Sequence, residues 1–336
     1  MKTLFSSILA LAMGVTASVA QIPGMMSMPS AQPLEGTSLG ANETIAYDGI
    51  ALGNRVKLRG YVDFIYNYKD DATGDDARFT TAGDVDFLFD FSPVTGEAHL
   101  ALNPNPEPGE DEVTLEQAFG RYSFNQDFNL SFGRQLTNLG FDADEAPGLY
   151  AVTTAYNGLN LGGIERRNYV DGLRANFNNG QFGLSLGLHD DYFGPANHFN
   201  ENIAIDLAAS VMIVPGLEAR LGYAHQDIDP DDVSQFNAWL AYNPGDLTLA
   251  LEFDTFDVMG QDIWDLMFLV NYQFVDWFGA TLRYSHLDDD SDDANRFTLA
   301  LLFTLTDNLY LNFEYSHTEL DSDDKDEVYL EGLLTF

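Results

Sequence analysis

The sequence predicts an all-β chain, a transmembrane antiparallel up-and-down β-barrel of about 16 strands. Three observations predict it. Apolar and polar residues alternate with a period of two through most of residues 55–336. The alternating segments run to about ten residues, the length a tilted strand needs to cross a bilayer. Their connections alternate between short turns and longer acidic loops, the pattern of a barrel whose two rims meet different surroundings. No run of 18 apolar residues follows the N-terminal segment, so a membrane-spanning helix is not predicted.

Composition agrees with this and removes other classes. The 336 residues include 53 acidic and 15 basic side chains, a formal charge of −38, so nucleic-acid phosphate is excluded as a partner. The absence of cysteine excludes disulfides and thiolate metal sites. A hydrophobic content of 45%, with 25 Phe and 16 Tyr, excludes an acidic disordered chain.

Taken in order, residues 1–20 read as a signal peptide. Lys2 supplies the positive start, Leu4 to Val15 the apolar stretch, and Ser18-Val19-Ala20 the small residues for cleavage near Ala20. Residues 21–54, with Pro23, Pro29 and Pro33, form a flexible N-terminal segment on the periplasmic side. The barrel occupies 55–336. In its first strand Val56, Leu58, Val62, Phe64 and Tyr66 share one parity, and Lys57, Arg59, Asp63 and Asn67 share the other. Val85, Phe87, Phe89 and Phe91 alternate in the same way with Asp84, Asp86 and Asp90. The strands fall at 55–68, 79–92, 96–103, 113–124, 128–135, 168–177, 181–189, 202–213, 217–226, 233–243, 247–257, 263–273, 278–287, 296–304, 309–318 and 327–336. Tight turns such as Asn178-Asn179-Gly180, Pro215-Gly216 and Pro244-Gly245 form one rim. The other rim carries loops 69–78, 104–112, 136–167, 190–201, 227–232, 258–262, 288–295 and 319–326. These loops hold 30 of the 53 acidic residues. An odd number of turns places both termini on the periplasmic side. Within 136–167, Asn157-Gly158 suits a hairpin turn. A hairpin there that crossed the membrane would raise the count to 18 strands. Tyr223, Tyr242, Tyr284 and Tyr315 are expected at the loop-side aromatic girdle, and Phe128, Phe182, Trp277 and Phe278 at the turn side.

A charged side chain facing the bilayer midplane costs ~2–4 kcal/mol, so charges inside strands are assigned to the lumen. Lys57, Arg59, Asp63, Asp86, Arg121, Arg174, Arg220, Glu252, Arg283 and Glu314 are the predicted pore lining. Glu97, Asp206, Glu218 and Asp254 share the inward parity.

The rank and length of loop 136–167 resemble the third external loop of general diffusion porins, which folds into the barrel and narrows the pore. Gly133-Arg134-Gln135-Leu136-Thr137-Asn138-Leu139-Gly140-Phe141-Asp142, with Gly60-Tyr61-Val62-Asp63, is similar to motifs of the OmpL-like β-barrel porins. The final strand ends on Phe336 and resembles the signal read by outer-membrane assembly machinery. These resemblances imply a porin in the outer membrane of a Gram-negative bacterium. Such a porin is a water-filled channel for passive diffusion of ions and small hydrophilic solutes. They imply outer-membrane lipid and lipopolysaccharide as surroundings, and a homotrimer. Asp142, Asp144 and Glu145 would sit at the constriction. A basic wall opposing them would set a transverse field; salt bridges across the lumen are the alternative use of the same charges. The acidic rim predicts cation preference.

Tyr-x-His followed by acidic residues recurs at Tyr223-Ala224-His225, Tyr284-Ser285-His286 and Tyr315-Ser316-His317. Asp288, Asp290, Asp292, Asp321 and Asp323 are candidate ligands for loosely bound divalent cations such as Ca²⁺; otherwise they form a solvated rim. No cofactor is expected. An outer-membrane barrel enzyme of protease or lipase type is the competing reading, with a plugged structural or adhesive barrel as a third. Ser285 and Ser316 neighbour His286 and His317, but sequence neighbours in a strand point to opposite faces and cannot pair directly.

Overall fold

The computed structural model describes residues 50–71, 74–104, 111–142, 144–157, 159, 168–194, 203–228, 231–258, 260–289, 293–320 and 324–336. A two-residue strand, Ile50–Ala51, pairs with Leu58 and Lys57, and sixteen barrel strands follow one another: β1 Val56–Asp71, β2 Gly74–Phe91, β3 Val94–Leu102, β4 Val113–Ser123, β5 Phe128–Leu136, β6 Tyr169–Asn178, β7 Phe182–His189 and β8 Ala204–Val214. They continue as β9 Leu217–Ile228, β10 Asp231–Tyr242, β11 Leu247–Val258, β12 Gln261–Val275, β13 Phe278–Asp288, β14 Asp293–Thr306, β15 Leu309–Leu320 and β16 Asp324–Thr335. Each pairs antiparallel with its chain neighbours, and β16 closes on β1 with Asp326 opposite Asp70 and Thr335 opposite Tyr61. Closure leaves no open edge whose backbone groups lipid would have to satisfy. The barrel thus has sixteen strands, and the eighteen-strand alternative falls.

Burial is inverted relative to a water-soluble domain. Leu282, Leu186, Leu221 and Phe274 are more than half exposed, facing outward, whereas Asp86, Arg174, Arg220, Glu252 and Glu314 are buried inside. The parity that separates them is the one read along the chain.

Turn chemistry fixes one rim. The Asn179 Oδ1 accepts from Gln181 N (3.0 Å) and Phe182 N (2.8 Å). The Asn125 Oδ1 accepts from Asp127 N (2.9 Å) and Phe128 N (3.0 Å), the Asx-turn device. Gly216, at φ +81°, joins β8 to β9, and a Cβ there would meet the Asn243 carbonyl oxygen at 2.4 Å. Aromatic side chains crowd the same rim, with Phe274 stacked on Phe278 and Trp277 over Phe303.

The opposite rim departs from expectation. The β1–β2 ladder continues to Asp71 opposite Gly74, and the β9–β10 ladder to Ile228 opposite Asp231. The expected loops 69–78 and 227–232 are therefore largely strand. Period-two alternation is imposed by lipid on one side; beyond the bilayer both faces meet water and pairing persists without the pattern. Long connections remain at 103–112, 137–168 and 190–203. Tyr242 also moves. It ends β10 opposite Leu217, on the turn side and not among the loop-side aromatics.

The repeated Tyr-x-His unit produces a repeated contact. Tyr284 OH donates to Asn295 Oδ1 (2.7 Å), with His286 Nδ1 at 3.0 Å from the same atom. Tyr315 OH donates to Asp326 Oδ1 (2.6 Å), with His317 Nδ1 at 2.9 Å. Each of these two units clasps the polar residue directly opposite its His on the next strand, whereas His225 of the first unit contacts Asp227 of its own strand.

Candidate functional site: the lumen and the inward third loop

The connection after β5 folds into the barrel, and the wall holds its backbone. Arg174 Nη1 on β6 donates to Leu136 O (3.0 Å), and Arg220 Nη2 on β9 to Asn138 O (2.5 Å). Glu252 on β11 accepts from Phe141 N (2.6 Å), and Phe141 stacks on Tyr150 and meets the edge of Trp239. Arg283 on β13 donates to Thr153 O (2.7 Å) and Thr153 Oγ1 (3.1 Å). Glu314 on β15 accepts from Thr153 N (2.9 Å) and Thr153 Oγ1 (2.6 Å). Arg296 on β14 reaches Asn157 O at 3.4 Å, and Asn157 Nδ2 donates to Tyr329 OH at 3.3 Å. A backbone lying inside a barrel has no sheet partner, so each such bond satisfies a group that would otherwise be buried unpaired.

Apolar packing completes the hold. Phe141, Tyr150, Ala155 and Tyr156 form one buried cluster with Trp239, Ala241, Ala250, Met267 and Leu269 of the wall. A second cluster joins Leu139 to Tyr192 and Phe193 of the connection after β7. Gln226 Oε1 anchors that connection by accepting from Tyr192 N (2.7 Å) and Phe193 N (2.8 Å). Asp191, in the same connection, is buried; burial, Asp171 and Asp190 push its carboxyl up to about 6 against the opposing pull of Arg134. Between the loop and the β10–β11 wall remains a cavity of about 210 Å³, lined by Phe141, Asp142, Asp144, Thr154, Glu252 and Asp254 among others.

The three acidic residues expected at the constriction divide. Asp142 lies 3.8 Å from Arg283 and accepts from Ala155 N at 2.6 Å. Asp144 accepts from the Tyr169 hydroxyl. Glu145 crosses to the β2–β3 wall, where Asp84, Asp86 and His99 lie beside it. A basic wall residue thus opposes the acidic loop at Asp142, through Arg283, but not at Glu145. Arg174, Arg220, Arg283 and Arg296 bind the loop's carbonyls, and Glu145 meets an acidic wall.

The other predicted lining residues fall as follows. Arg59 Nε is 3.1 Å from Asp86 Oδ2, and Arg121 Nη1 is 3.6 Å from Glu97 Oε1. Asp63 is buried on the lumen face of β1, while Lys57 is exposed near its turn end. Asp288 ends β13 opposite Asp293; Asp290, Asp292, Asp321 and Asp323 lie outside the described residues. Phe336 continues the seam, its N and O exchanging hydrogen bonds with Gly60 O (3.0 Å) and Gly60 N (2.9 Å). Ser285 is buried inside while His286 contacts Trp264 outside, which separates that pair. Sequence reasoning missed Asp84 and Arg296 as lining, although both carry the inward parity. It also missed His99, which shares the inward parity of Glu97, and Asn138 and Thr153, for which no local pattern exists.

The sequence profile described as Gram-negative porin matches residues 9–323. Among solved structures, the fold is similar to OprB of Pseudomonas putida, with a TM-score of 0.65 and 13% identity, over 84% of this chain and 94% of that one. It is similar to the anion-selective porin from Comamonas acidovorans, with a TM-score of 0.60 and 16% identity, over 84% and 99%. It is also similar to the trimer form of OmpT of Vibrio cholerae, with a TM-score of 0.60 and 13% identity, over 84% and 100%. No curated protein matches the sequence.

Proposed function

Since the chain belongs to the Gram-negative porin family, an outer-membrane channel family, we propose that it passes ions and small hydrophilic solutes by passive diffusion and prefers cations. The observation that carries the preference is the division of labour among lumen charges. The wall arginines Arg174, Arg220, Arg283 and Arg296 are bound to loop carbonyls, while Asp142, Asp144 and Glu145 gather carboxylates at the narrowing. Because an anion-selective porin shares the fold, selectivity has to come from this chain's own side chains.

The chain is exported with cleavage near Ala20, residues 21–54 lie on the periplasmic side, outer-membrane lipid and lipopolysaccharide surround the barrel, and the assembly machinery inserts it through the Phe336 strand. A homotrimer is proposed from the trimer form of the similar OmpT of Vibrio cholerae. No catalytic role is proposed, and loosely bound divalent cations at the rim remain part of the reading. The test is the reversal potential of the reconstituted protein across a planar bilayer in a KCl gradient. The expected sign is that of a cation-selective channel; an anion-selective sign overturns the preference, and a folded but silent barrel overturns the channel.

A further inference from the structure

Asp84 and Asp86 stand two residues apart on β2 and share the lumen face. His99 on β3 is held at both nitrogens, with Nδ1 2.8 Å from Asp86 Oδ1 and Nε2 3.1 Å from Glu97 Oε2. Glu145 arrives from the third loop. One ligand atom from each of Asp84, Asp86, His99 and Glu145 lies within 4.8 Å of the others. All four residues are at most 3% exposed. Among the described residues, no N–H or hydroxyl donor reaches either carboxylate oxygen of Asp84 or of Glu145, and the Asp84 carboxyl lies against those of Asp86 and Glu116. Arg59 reaches Asp86 and Glu97, and Arg121 reaches Glu97, so within the cluster these two cations offset Asp86 but no ion pair among the described residues joins them to Asp84 or Glu145. Buried carboxylates without donors or counter-charges are expensive, and their unpartnered oxygens converge on one point.

We propose that Asp84, Asp86 and Glu145 bind a single divalent cation, Ca²⁺ by the chemistry of the donors, which clamps the first part of the third loop to β2. A set of carboxylate oxygens suits a hard cation, and a softer metal would call for more imidazole or thiolate ligands. His99, fixed between Asp86 and Glu97, positions the Asp86 carboxylate. The site is distinct from the acidic outer rim and does not depend on whether the lumen conducts.

The experiment is calorimetric titration of the detergent-folded protein with CaCl₂ after stripping with EDTA. One saturable site per chain is expected above weak binding at the rim. Glu145→Gln and Asp84→Asn should each weaken that site at least tenfold, and Asp288→Asn at the rim should leave it unchanged. No saturable site, or a site indifferent to Glu145→Gln, overturns the proposal. Glu145 lies in the loop and not in the sheet, so its variant decides the matter even if Asp84→Asn fails to fold. Conductance in calcium-free KCl is read in parallel. A conducting barrel without the site rejects the clamp alone, and a silent barrel with the site rejects the channel alone.

Discussion

Gly133 adopts φ +120°, and a Cβ there would lie 2.4 Å from the Ala118 carbonyl oxygen and 2.9 Å from the Phe119 Cα. An alanine would have to hold a disfavoured backbone and push the neighbouring strand away. Gly133→Ala is expected to destabilise the barrel by about 1–3 kcal/mol, read as a lowered urea midpoint. Gly332→Ala, with ordinary backbone and nothing within 4 Å of the added methyl, should leave that midpoint nearly unchanged. Asp191 makes a second prediction. Its carboxyl titrates near 6 in the folded loop, above its ordinary range, so the folded loop holds the proton more tightly than the open one. Anchoring is therefore strongest below the ordinary carboxylate range and declines as pH rises through about 6. Hydrogen exchange at Tyr192 and Phe193, corrected for intrinsic rate, should be slower at acidic than at neutral pH, and Asp191→Asn should remove the difference. Residues of this kind were unevenly legible. The inward direction of Asp86, Arg174 and Glu314 follows from parity alone. That Glu145 meets Asp84 does not, because the distance a loop travels across a lumen leaves no period in the sequence.

The third loop is an element whose fold belongs to the wall. Among its described residues it has one short 3₁₀ turn, Ala146–Gly148, and otherwise takes its shape from β6, β9, β11, β13, β14 and β15. Arg283→Ala removes two hydrogen bonds to Thr153, each worth about 1.5–3 kcal/mol when a charged donor is lost. Trypsin-independent proteases with broad specificity should then cut within the loop, where the parent protein resists. Deleting residues 142–156 should raise single-channel conductance, since the segment is held inside the lumen; unchanged conductance would show that the constriction lies elsewhere. The existence of this element was visible as an interruption of the strand rhythm, whereas its path was not. Strand ends show the reverse limit. The ladder from Lys69 opposite Asp76 to Asp71 opposite Gly74 lies beyond the reach of lipid, where charge density resembles that of a loop.

For the whole molecule, the charge of −38 resolves into places: an apolar outer belt, a lumen of mixed sign and an acidic outer rim. The rim acts through solvent and is screened, with a Debye length of about 10 Å at 0.1 M salt and about 3 Å at 1 M. The cation-to-anion permeability ratio is accordingly expected to fall as salt rises, and the residual selectivity at high salt measures the constriction. The seam offers a different consequence. Every other pairing in the barrel joins segments adjacent in the chain, but Tyr61 opposite Thr335 joins nearly opposite ends of it. Hairpins can zip one after another at small entropic cost, while the seam must gather the whole chain before it contributes anything. Until then β1 and β16 are two bare edges, each a template for a stranger's strand as much as for the other. The interval before the ring shuts is thus the period in which this molecule is most open to the wrong partner.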